Sequence, residues 1–282
     1  MFNKKVLVAL DASATAEKAF KRGVLIADRM GCQLEILWLF LPLADHPLKR
    51  LIAALEADDL PIKQHYQEEK TLLADVLSRW QHDHFSLLVK SCDTTHKGLM
   101  APLDWQLLRQ TPCPVLLVKR DSLWEGGKII AAVDPLSRKK SCLQLNQSVL
   151  MMAELVSREA KAELQVVVSY SPPMLGAEPV NQSANLSEER AASAAKALLT
   201  SMQLEASAYH LGEGPPEYWI PKVAEDQHAA LVVIGTHGRD GIKGALLGNT
   251  AERILDRISC DVLVLRAGLS TNADLVALSG QA

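Results

Sequence analysis

The sequence is poor in the devices that mark several large functional classes. Its 282 residues hold no uninterrupted apolar run near the roughly 20 residues that span a bilayer, and the opening MFNKKVLVALDAS has no signal-peptide cleavage pattern. A cytoplasmic chain without a membrane span is the expectation. Charge of one sign is also lacking, since 30 Lys and Arg stand against 33 Asp and Glu. With aromatics at 5% and no basic cluster interleaved with them, the footprint of a nucleic-acid binder is missing. The five cysteines, Cys32, Cys92, Cys113, Cys142 and Cys260, contain no CxxC pair. That excludes a zinc knuckle or a disulfide framework by spacing and leaves them as small apolar residues in a reducing compartment. His82 and His84 alternate without a carboxylate or cysteine at ligand spacing, so no metal site is expected. No Ser-His-Asp or paired-carboxylate array is legible either, and no catalytic residue is assigned.

What is present is aliphatic and periodic. Hydrophobic residues make up 48% of the chain, enough for two ordinary cores at this length. KVLVAL at 5–10 is a strand buried on both faces, and Ser13 or Thr15 is placed to cap the helix that follows and stops at Gly31. Further strands are expected at 33–41, 62–67, 85–89 and 115–118, with helices near 48–57, 71–81 and 105–110 between them. Strands alternating with helical patterns imply right-handed crossovers and a parallel sheet covered on both faces.

The pattern then starts again. KIIAAVD at 128–134 repeats KVLVALD at 5–11, and CDVLVLRA at 260–267 repeats CPVLLVKR at 113–120. The second copy is longer, chiefly through the polar segment SPPMLGAEPVNQSANLSEE at 171–189, which precedes an alanine-rich helix at 190–202. DSLWEGG at 121–127 has linker character, so the expected domains are 1–120 and 128–267, with a small polar tail at 268–282.

The densest signal lies at 231–250, LVVIGTHGRDGIKGALLGNT. A buried strand breaks into a loop bearing Gly235, Gly238, Gly241, Gly244 and Gly248, and helical spacing resumes in AERILDRI. Glycines let backbone N–H groups approach an oxyanion, and a helix N-terminus adds donors and partial positive charge. The dinucleotide fingerprint follows the first strand of a unit, whereas this loop follows the fourth, which counts against a dehydrogenase reading.

Gly235-x2-Gly238-x9-Gly248 resembles the phosphate loop of the nucleotide-binding universal stress proteins, G-x2-G-x9-G-(S/T), with Asn249 at the hydroxyl position and Thr250 one residue later. The paired units, the aspartate after each first strand and the CPVLLVKR-type last strands extend the resemblance over nearly the whole chain; HKGLMAPLDWQLLRQTPCPVLLVK, 96–119, is similar to the bacterial type E branch. The resemblance implies an α/β fold: two tandem flavodoxin-like or Rossmann-like domains, each a five-stranded, mostly parallel sheet of order 3-2-1-4-5 with helices on both faces. It also implies an intramolecular pseudo-dimer of the two domains.

By the family pattern Asp134 faces the base and sugar, and Gly235, Gly238, Gly248, Asn249 and Thr250 face the phosphates. Ala132, Val133 and Pro135 share the exit of that first strand, Val168 near the end of the next strand is placed to contact the base, and His237 lies inside the glycine loop within reach of a phosphate. The implied ligand is ATP or another adenine nucleotide, bound by the C-terminal domain only, with magnesium entering only alongside ATP. In the N-terminal domain Lys90 is read in place of Gly235 and no late glycine follows, so that copy lacks the cradle. The expected function is a stress-response sensor or regulator acting through its domain interface or a protein partner, with a homodimer as a further assembly. The alternatives are a nucleotide-independent interaction protein, a binder of another small metabolite, and a slow ATPase using Arg239 or Lys243.

Overall fold

The computed structural model describes residues 5–57, 60–92, 102–172, 184–237 and 249–268. Contacts divide the chain into two units, the first ending at Asp121 and the second running from Ser122 to Gly268. Each has the expected α/β architecture.

Unit 1 contains β1 (Lys5–Leu10), α1 (Ala16–Met30), β2 (Gln33–Trp38), α2 (Pro47–Ala57), β3 (Ile62–Tyr66), α3 (Leu72–His82), β4 (Leu87–Ser91), α4 (Pro102–Gln110) and β5 (Val115–Val118). Its strands are ordered β3-β2-β1-β4-β5, and every pairing is parallel. All six residues of β1 are buried: Val6 to Leu10 as an aliphatic run in a sheet covered on both faces, and Lys5 through its ion pairs with Asp83 and Glu35. α1 ends where Gly31 takes a left-handed φ of 60°, and Cys32 N–H returns to Ala27 O at 2.8 Å. Gly23 lets this helix lie on the sheet, because a Cβ there would meet Val8 Cγ2 at 2.3 Å.

Several local expectations differ from the structure, and the helix expected at 105–110 begins at Pro102 while the one expected at 190–202 spans Ala184–Ser201. Thr15 precedes α1 in a helical conformation and makes no side-chain capping bond, while the Ser13 hydroxyl turns back to Asp11. β2 ends at Trp38 and not at Leu41, whose side chain is 84% exposed. β4 begins at Leu87, two residues after the apolar run does.

Unit 2 contains β6 (Lys128–Ala132), α5 (Lys140–Glu159), β7 (Glu163–Tyr170), α6 (Ala184–Ser201), β8 (Ala208–Glu213), α7 (Pro216–Asp226), β9 (Leu231–Thr236), α8 (Asn249–Arg257) and β10 (Asp261–Arg266). The order β8-β7-β6-β9-β10, again parallel throughout, repeats that of unit 1. Ahead of β6, Trp124 is buried and its Nε1–H donates to Asp261 Oδ2 at 3.0 Å, which ties this segment to the start of β10. Among the described residues no helix is long and apolar enough to cross a membrane.

Candidate functional site

In an open parallel sheet the crossovers leave in opposite directions where strand order reverses, and the diverging connections open a crevice at the carboxyl ends of the two central strands. In unit 2 those strands are β6 and β9, aligned with Ala132 opposite Ile234. A cavity of about 760 Å³ lies there. Ala132, Val133, Asp134, Gly235, His237 and Thr250 all line it. Val168 does not: it is buried within β7, and the cavity is reached instead by Ser169 and Tyr170 at that strand's end. Pro135 is likewise not among the lining residues. Gly238, Gly241, Gly244 and Gly248, with Arg239 and Lys243, lie outside the described residues, and Asn249 is described only as the first residue of α8.

Several walls come from residues that the motif did not single out. α5 contributes Cys142, Leu145, Asn146 and Val149, α7 contributes Ile220, and α8 contributes Ala251 and Ile254. The four α5 residues follow the three- and four-residue spacing of one helix face, a signal that identifies the face but not what it looks onto. Asn146, buried to 4% exposure, clamps the turn after β6: its Oδ1 accepts from Asp134 N–H at 3.0 Å and its Nδ2 donates to Asp134 O at 2.7 Å. Asp134 Oδ1 accepts from Ser137 N–H at 3.2 Å, so this carboxylate also closes its own turn. Cys142 Sγ stands 4.0 Å from Asp134 Oδ2, and burial, aided by that charge, pushes the thiol up and keeps it protonated.

Gly235 has a packing reason to be glycine. A Cβ there would lie 2.5 Å from Leu145 Cγ, so its absence lets α5 close over β9. The next residue, Thr236, is 2% exposed and lines the cavity, yet its Oγ1 has no hydrogen-bond partner among the described residues. A buried hydroxyl without a partner costs about 1–3 kcal/mol relative to a satisfied one.

Unit 1 has the corresponding crevice between β1 and β4, and the strand register corrects the residue correspondence read from the sequence. Ala9 lies opposite Lys90 as Ala132 lies opposite Ile234. Lys90 therefore takes the place of Ile234, and Ser91 that of Gly235. The one-residue difference matters because successive side chains point to opposite faces. Lys90 is aimed as Ile234 is, and its Nζ reaches Asp11 Oδ2 at 3.2 Å.

His82 and His84 are engaged locally. His82 Nδ1–H donates to Ser78 O at 2.7 Å, and His84 packs on Trp80 with ring centroids 4.2 Å apart. Among the described residues no three His, Cys, Asp or Glu side chains are grouped to hold a metal ion.

Comparisons with known proteins agree with this geometry. The model of the Universal stress protein family matches residues 127–266. Universal stress protein E of Escherichia coli K12 is 27% identical over a 305-residue alignment that covers 93% of this chain and 94% of that protein. Universal stress protein A homolog 1 of Coxiella burnetii is 32% identical over 145 residues, covering 49% of this chain and 94% of its own length. A crystal structure of a functionally unknown protein from Pseudomonas aeruginosa PAO1 superposes with a TM-score of 0.81 at 28% identity, covering 99% of this chain and 96% of the other.

Proposed function

The chain belongs to the universal stress protein family, and from that premise we propose that unit 2 binds an adenine nucleotide, ATP foremost, in the cavity between β6 and β9. Occupancy of this cavity is the signal, and a protein partner reads it.

The observation that carries this reading is the cavity of about 760 Å³ at the carboxyl ends of β6 and β9, lined by Asp134 on one side and by His237 and Thr250 on the other. Apolar walls from Leu145, Val149 and Ile254 suit the faces of a base, and Asp134 offers a carboxylate to a base edge or ribose hydroxyl. Thr250 and Ala251, in the first turn of α8, line the same cavity, where free backbone N–H groups and the helix dipole favour an anion. In this assignment His237, Gly238, Gly248 and Asn249 complete the phosphate side, and magnesium accompanies ATP. The protein acts by binding; no turnover is assigned to it.

Mass spectrometry of small molecules released from protein purified without added nucleotide, followed by calorimetric titration with ATP, tests the reading. Wild type is expected to bind one ATP per chain. Thr250→Val, which removes the hydroxyl of a side chain that lines the cavity at near-constant volume, should weaken binding about tenfold, the worth of one hydrogen bond. Asp134→Ala should weaken it comparably. Absence of ATP binding in wild type overturns the proposal.

A second reading, an interaction protein that needs no nucleotide, is favoured by Leu41 and Leu43, which stand 84% and 76% exposed beside Phe40 and the start of α2. An empty protein that fails to bind ATP yet loses a partner on Leu41→Ser would support it.

A further inference from the structure

The crevice of unit 1 is built like that of unit 2 and filled differently. Lys90, 5% exposed in β4, sends its ammonium to three oxygens. Nζ donates to Ser91 O at 2.8 Å and to Asp11 Oδ2 at 3.2 Å, and it stands 3.2 Å from Asp104 Oδ1 on α4. Asp104 is wholly buried, and its carboxylate meets the Lys90 ammonium as an ion pair. Asp11 is held from its other side by Ser13, whose backbone N–H donates to Oδ1 at 3.1 Å and whose hydroxyl bonds the same oxygen. Three elements, the exits of β1 and β4 and the first turn of α4, thus converge on one ammonium group.

We infer that the crevice of unit 1 is a cation pocket whose ligand is the chain's own Lys90, so that the duplicated fold comprises one half open to an external ligand and one half that is internally liganded. Two carboxylates at 3.2 Å from the Lys90 ammonium would repel the phosphates of a nucleotide, and the ammonium occupies the position between them. The groups are tuned to stay charged. Burial by itself would lower the ammonium's pKa, but the charges of Asp104 and Asp11 outweigh it and raise the value. Burial by itself would raise that of Asp11, but Ser13 and Lys90 outweigh it and lower the value. The ligand class of the pocket is therefore a primary ammonium.

Lys90→Ala in the full-length chain tests this by emptying the space while keeping both carboxylates. Leaving buried charges uncompensated should lower the melting temperature of unit 1 by roughly 10 °C. Methylammonium at about 0.1 M should restore much of that loss by occupying the vacated site, whereas tetramethylammonium at the same ionic strength should restore little. Lys90→Met, which refills the volume without the charge, should be destabilised and should not respond to methylammonium. An alanine variant that melts with wild type, or one that gains no more from methylammonium than from tetramethylammonium, overturns the inference. Should neither variant accumulate as folded protein, acetylation of wild type followed by peptide mass spectrometry decides. Lys90 is then expected to react at least about tenfold more slowly than Lys21 and Lys222, which are 50% and 61% exposed. Equal reactivity overturns the inference. None of these readouts involves nucleotide, so they stand apart from the assignment of unit 2.

Discussion

Asn146 grips the main chain of Asp134 at both of its polar groups, donating from Nδ2 to the carbonyl at 2.7 Å and accepting at Oδ1 from the N–H at 3.0 Å. The turn after β6 is thereby fixed by α5, and the Asp134 side chain is presented from a rigid base. Asn146→Leu keeps the volume and removes the partner of both part-buried backbone groups of Asp134, at a cost of roughly 1–3 kcal/mol. Urea denaturation should show this as a lower midpoint with an unchanged slope, and ATP affinity should fall at least about tenfold because the Asp134 carboxylate loses its position. Wild-type stability in the leucine variant would show that the clamp does not hold the turn.

Gly235 presents two separable reasons to be glycine. The motif calls for close backbone approach to phosphate, and the structure adds the approach of Leu145, which a Cβ would meet at 2.5 Å. Gly235→Ala should therefore destabilise unit 2 by about 1–3 kcal/mol through overpacking. If packing is the whole cause, Leu145→Ala in the same chain recovers part of the loss, giving a non-additive double-mutant cycle. Measuring ATP affinity across the four proteins separates the roles: recovery of stability without recovery of affinity assigns the glycine to the ligand as well.

How legible the site was in the sequence depended on whether local pattern or tertiary placement decided each part. β1 and β6 could be read directly because a strand covered on both faces is a near-continuous aliphatic run, here after a lysine at the first position of each, and Gly31 could be read as a stop because few other residues tolerate its left-handed φ. Strand ends were less legible: the apolar run continues through Leu41, but the ladder leaves off at Trp38, since hydrophobicity does not register where pairing ceases. The α5 wall of the cavity was missed because Cys142, Leu145 and Asn146 show only that a helix has a face. Matching Lys90 to Gly235 failed by one residue, since only the pairing of Ala9 with Lys90 sets the register. Thr236 carried no motif signal at all, and its interest arises solely from burial without a partner.

The Trp124 to Asp261 hydrogen bond gives the segment ahead of β6 a structural duty. Asp261 is fully buried at the start of β10, and the indole N–H supplies a donor to its carboxylate at 3.0 Å. Trp124→Phe preserves most of the apolar burial and deletes that donor, which should cost about 1–3 kcal/mol because the acceptor is a buried polar group. Asp261→Asn keeps an acceptor facing the indole and should cost less. Comparable losses from both substitutions in guanidinium unfolding would count against the bond as the source of the effect.

The pairing of Lys90 with Asp11 also fixes how unit 1 should respond to pH. Asp11 is lowered from its ordinary 3.8, since Ser13 and the Lys90 charge outweigh burial. A group depressed in the folded state contributes stability above its unfolded pKa and loses it as pH falls through the folded value. Lys90 is raised from its ordinary 10.5, burial being outweighed by Asp104 and then Asp11. Its contribution is complete below the unfolded value and is lost as pH rises through the folded one. The other ionisable groups at this point are Asp104 and Lys119, both buried, and Cys92, whose thiol burial pushes up to about 12. The stability difference between wild type and Lys90→Met should therefore be flat from about pH 5 to pH 9, shrink in acid as Asp11 takes up a proton, and shrink in strong alkali as Lys90 gives one up. Urea unfolding at a series of pH values reads this directly. A step in that difference near neutrality would mean that a group other than this pair sets the response, because neither of the two changes charge there.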